Sequence, residues 1–167
     1  MTRKAIVILP LLTCAVLFGR GESRPWKMDP VSNAEPQGPI PVSLDQVKAE
    51  SNPARRAKAG ADFAAVAERN AEAAFSKGDT KAVAAELNAM QESIEIARDS
   101  LIASKETAGR NPELYKYAEV RSRKLLVRLE DFEQRMFVED RDLVAAPKAK
   151  VQEIHDFWFD EIMRRKQ

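Results

Sequence analysis

Apolar positions in this chain recur at helical spacing. The clearest run is Val83, Leu87, Met90, Ile94, Ala97 and Leu101, whose alternating steps of four and three put every member on one stripe over nearly three heptads. Asp79 stands ahead of that run as an N-cap, so the pattern predicts a helix from there to about Lys105, with Gly109 as its stop residue. An Ala-rich stripe of Phe63, Val66, Ala67, Ala71, Ala74 and Phe75 predicts a preceding helix that opens at Asn52-Pro53 and closes near Ser76, before Lys77-Gly78. Gly60 inside it is a weak point, costing about 1 kcal/mol relative to Ala by propensity alone.

The same start signal returns at Asn111-Pro112. The helix after it runs to about Met136 and aligns Leu114, Ala118, Leu125, Leu129, Phe132 and Met136, with a polar break at Arg121 or Ser122. After a turn over Phe137 to Asp140, a last helix aligns Val144, Val151, Ile154, Trp158 and Ile162, and Pro147 either starts or kinks it. Ahead of all of these, Ser43-Leu44-Asp45-Gln46 has the spacing of a capping box and opens a short helix over 44–50. No stretch alternates with the period of a strand. The expected fold is all-α: an up-down antiparallel bundle of three to four long helices, in which short connections set consecutive helices side by side.

The first residues follow a different pattern. Arg3 and Lys4 precede an apolar run from Ala5 to Phe18, followed by Gly19, Arg20, Gly21, Glu22 and Ser23. Basic, apolar and small-residue regions in that order describe an export signal over residues 1–23, with cleavage before Glu22 or before Arg24. A run of that length spans only about 21 Å as a helix, short of a hydrocarbon core of roughly 30 Å. The alternative is an uncleaved anchor in the inner membrane. Cys14, preceded by Thr13 and followed by more apolar chain, is a poor lipidation site. Residues 24–42 carry prolines at 25, 30, 36, 39 and 41, a density that favours an extended linker, with Trp26 its one odd residue. The domain organisation is thus signal 1–23, linker 24–42 and helical bundle 43–167.

Composition narrows the function classes. The chain has 27 basic and 26 acidic residues, and removing the signal leaves 24 and 25. A near-neutral exported chain is not built to attract nucleic acid or an anionic membrane surface. Its single cysteine leaves with the signal, so the mature chain has neither disulfides nor thiolate ligands and relies on burying helix faces. It has no Cys-x-x-Cys-His haem attachment and no Leu-Thr-x-x-Gln repeats of the kind small periplasmic chaperones carry.

Candidate chemistry is sparse. His155 is the only histidine, and Glu153 and Asp156 point to other faces, so no metal site and no cofactor is expected. The acidic turn Glu139-Asp140-Arg141-Asp142 lacks the glycine and final glutamate of a calcium loop. Two features remain. Phe157, Trp158 and Phe159 span about 200° of one helix, so they cannot all face one core stripe and form a candidate interaction surface for a protein partner or a second copy. Arg121, Arg123, Lys124 and Arg128 form a candidate anion-binding stripe, which the acids Glu86, Glu92, Glu95 and Asp99 of the preceding helix are expected to neutralise. The function expected is that of an exported, non-enzymatic structural or interaction protein. The alternative is a chaperone-like, stress-protective binder.

Overall fold

The computed structural model describes residues 43–105 and 107–164, all within one compact unit. The export signal, Cys14, the proline-rich segment 24–42 and Trp26 lie outside the described residues. Five α-helices follow in chain order: α1 (Leu44–Ala49), α2 (Pro53–Phe75), α3 (Thr80–Ala103), α4 (Pro112–Arg135) and α5 (Asp142–Arg164). The described residues contain no strand, and a 3₁₀ turn at Val138–Asp140 joins α4 to α5. No described helix is long and apolar enough to cross a membrane.

Four helix starts are set by side chains in the places the sequence predicts. Ser43 Oγ accepts from the Gln46 amide at 3.3 Å, and Asn52 Oδ1 from Arg55 at 3.0 Å. Asp79 Oδ1 accepts from Ala82 at 2.9 Å, and Asn111 Oδ1 from Leu114 at 3.3 Å. Each satisfies a first-turn donor that has no partner within its own helix. The α2 end is a Schellman motif around Gly78, whose φ is +73°: Asp79 N–H reaches the Ala74 carbonyl at 3.1 Å and Gly78 N–H that of Phe75 at 2.9 Å. The α3 end differs from expectation. Gly109 is not the residue that turns the chain; Lys105 takes the left-handed conformation, at φ 53°, directly after the Ser104 cap.

The long helices pack as two hairpins, α2 with α3 and α4 with α5. Asn70 bonded to Glu86 and Arg56 bonded to Ser100 show α2 and α3 antiparallel, as Lys148 on Glu133 and His155 on Ser122 show for α4 and α5. The hairpins join through α2 against α4 and α3 against α5, each pair parallel. Helix direction alternates as expected, yet α3 and α4 are not side by side: they stand across the diagonal. The connection between them crosses one end of the bundle and buries Ala108.

All six members of the α3 stripe, Val83 to Leu101, are fully buried. On α2 the buried face is broader than the aromatic positions suggest, taking in Ala57, Gly60, Ala61 and Ala64 besides Phe63, Ala67 and Ala71, while Val66, Ala74 and Phe75 stay partly open. Small side chains there let α3 approach so closely that a Cβ on Gly60 would lie 2.6 Å from the Ser93 carbonyl oxygen. Gly60 is therefore a packing requirement rather than a weak point. Pro147 lies buried in the second turn of α5, which continues unbroken through it. The break in the α4 stripe is Ser122, fully buried, and not Arg121.

Candidate functional site

On α5 the three aromatic residues separate as 100° steps require. Trp158 is fully buried, its indole N–H without a partner among the described residues; it lies in the core with Val151 and Ile154, as its place on their stripe predicts, and leaves the candidate interaction surface to its neighbours. Phe157 is half-buried against that core. Phe159 is exposed, 46 %, and shares its face with His155, 6.5 Å away between ring centres, and with Met163 one turn on. The surface that remains on α5 is Phe159 and Met163.

The expected anion-binding stripe on α4 is largely occupied. Arg121 Nη2 lies 3.0 Å from Asp62 Oδ1 and 2.9 Å from the Tyr117 hydroxyl, which itself donates to Asp62 at 2.5 Å. Lys58 Nζ sits 4.7 Å from the Tyr117 ring centre, adding a cation to its π face. Burial, then the bond to the Asp62 carboxylate, push the Tyr117 phenol up to about 12. Farther along, Arg128 Nη2 is 3.1 Å from Glu68 Oε2, and Arg135 pairs with Glu72. Arg123 takes Glu119 on its own helix at 3.4 Å, while Lys124 is exposed.

The acids that pair with Arg121 and Arg128 thus come from α2 and the one that pairs with Arg123 from α4 itself, none from α3. The α3 carboxylates face elsewhere: Glu92 binds Lys48 of α1 at 2.6 Å, Asp99 binds Arg98 at 2.9 Å, Glu86 holds Asn70, and Glu95 accepts from Gln91. The physical reason is the diagonal arrangement, which places α2 rather than α3 beside α4.

His155 Nδ1 lies 3.1 Å from Ser122 Oγ, a contact between α4 and α5 that sequence spacing does not reveal. It resembles a nucleophile and base only in composition. Ser122 is fully buried, and its hydroxyl donates to the Glu119 carbonyl of its own helix at 2.9 Å, so no substrate reaches it. Among the described residues no group of three or more His, Cys, Asp or Glu could hold a metal ion. A cleft of about 340 Å³ between α1, α2 and α3 is lined by Lys48, Arg56, Ile96, Asp99, Ser100 and Ala103. Its main cation is spoken for: Arg56 donates to Ser100 Oγ at 2.8 Å and to the Glu50 carbonyl at 3.2 Å, tying the α1 corner to the hairpin.

Among the described residues, the most exposed of the large apolar side chains sit where the sequence shows only a turn. Phe137 and Val138, at the corner between α4 and α5, are 68 % and 75 % exposed. Phe137 rests 5.9 Å from the ring centre of Phe75, which meets the buried Phe132 edge-on at 5.7 Å. Three rings therefore run from the core to the surface at one end of the bundle, and Val138 extends the patch. The signal in the sequence was two adjacent large apolar residues that fit neither flanking helical stripe. No protein family, no curated protein and no solved structure matches this chain.

Proposed function

We propose that this protein is exported and acts by contact, as a helical-bundle interaction protein whose binding corner is Phe137 and Val138 backed by Phe75. The observation that carries the reading is the exposure of two adjacent large apolar side chains on a rigid aromatic support. Isolated exposed apolar residues are ordinary, whereas a contiguous patch held by packed rings marks a contact surface. The support matters energetically, because a ring already ordered against Phe75 loses little conformational freedom when a partner covers it. Export rests on the leader over residues 1–23.

Two measurements test the reading. Mass spectrometry of the protein recovered from cells reads its N-terminus: Glu22 or Arg24 supports a cleaved export signal, and retained Met1 removes the cleavage and leaves the uncleaved anchor. Crosslinking in the cell envelope, together with sedimentation of the purified chain, is then compared between the wild type and Phe137→Ser/Val138→Ser. The double variant is expected to keep its helical circular dichroism and lose the crosslinked species. Unchanged association in a folded variant overturns the corner.

A further inference from the structure

The seam between α2 and α4 holds a group that neither the packing nor the proposed corner uses. Glu68 is fully buried, and among the described residues neither of its carboxylate oxygens has a hydrogen-bond donor. Its near counter-charge is Arg128, 3.1 Å away. That is a charge contact without an aligned hydrogen bond, and the Arg128 Nε is itself buried with no acceptor among the described residues. Asp62, in the same seam, receives both a phenol hydroxyl and a guanidinium. Glu68 receives neither in bonding geometry.

The other charges around it do not complete the site. Arg135 attracts Glu68 but is committed to Glu72, which repels it from one turn along α2; Arg69 attracts it from its own helix. From α3 the carboxylate facing α2 is Glu86, held by Asn70, and on α4 the next guanidinium, Arg121, belongs to Asp62. A carboxylate sealed from water with a single unaligned partner is costly as an anion and much cheaper as a neutral acid.

We propose that Glu68 and Arg128 form a proton-operated latch between α2 and α4: uptake of one proton from solvent neutralises Glu68, frees Arg128 from the seam, and hands its charge to the α4 surface beside Lys124. The Arg128 side chain is 34 % exposed while its Nε stays buried, so the side chain already meets water on one side of the seam. Burial raises the Glu68 carboxyl above its ordinary range, outweighing the attraction of Arg128. The folded chain therefore holds this proton more tightly than the unfolded chain does. The contribution of Glu68 to stability grows as pH falls through its folded pKa and is complete below its unfolded one, opposite in sign to ordinary acid denaturation.

The test uses the full chain and nuclear magnetic resonance. The Glu68 carboxyl is expected to titrate above the usual glutamate range. Across the same transition, protection of the Arg128 Nε–H, measured against free arginine, is expected to fall several-fold. Glu68→Gln should hold Arg128 in the released state at every pH, with low protection that no longer titrates. If that variant does not fold, Arg128→Met on its own should push the Glu68 titration higher still. An ordinary Glu68 titration, an unchanged Arg128 profile in Glu68→Gln, or a Glu68 titration indifferent to Arg128→Met each overturns the latch.

Discussion

Gly60 of α2 lies against the Ser93 carbonyl of α3, with room for a hydrogen and none for a methyl: a Cβ there would stand 2.6 Å from that oxygen and 3.1 Å from the Ala97 Cβ. The obstacle is backbone, which cannot rotate aside. Gly60→Ala gains about 1 kcal/mol of helix propensity and forces the two helices apart, at an overpacking cost of about 1–3 kcal/mol. The expected net effect is destabilisation, read as an earlier urea midpoint. Gly109→Ala, where the nearest atom is the Thr107 side chain at 3.5 Å, serves as the neutral control.

The aromatic pair on α5 should divide. Phe157 packs on the core, so Phe157→Ser is expected to cost about 1–3 kcal/mol in denaturant melts. Phe159 lies on the open face, and Phe159→Ser should cost under about 1 kcal/mol. Equal losses would mean that both rings are buried against a second chain in solution.

Lys105 carries a left-handed backbone at the α3 end, a conformation that penalises a side chain by about 1–2 kcal/mol. Lys105→Gly relieves that strain and gives part of it back as entropy of the unfolded chain. A net gain of about 0.5–1 kcal/mol is expected, seen as a raised thermal midpoint.

Tyr117 should ionise late. Absorbance titration of its phenol is expected to reach half-ionisation at about 12, and Asp62→Asn should bring it down by removing the carboxylate that accepts its hydrogen bond. Because the folded value is raised, the associated stability is complete below the unfolded value of 10 and is lost as pH rises through about 12. A wild-type tyrosine titration identical to that of Asp62→Asn removes the seam contact.

The existence and starting points of the helices were legible from the chain itself, because the forces that set them are local. A capping oxygen acts within three residues, so Ser43, Asn52, Asp79 and Asn111 announce their helices without reference to any partner. The buried stripe of α3 was equally legible, since periodicity belongs to one helix and every neighbour presents the same apolar demand. Which helix lies beside which was not. The acids that neutralise Arg121 and Arg128 sit on α2, and only the diagonal placement of α3 and α4 decides that. The same holds for the necessity of Gly60, the burial of Glu68 and the exposed ring of Phe137. Each depends on the distance and rotation between segments far apart in sequence, quantities set by how all the apolar faces close together at once.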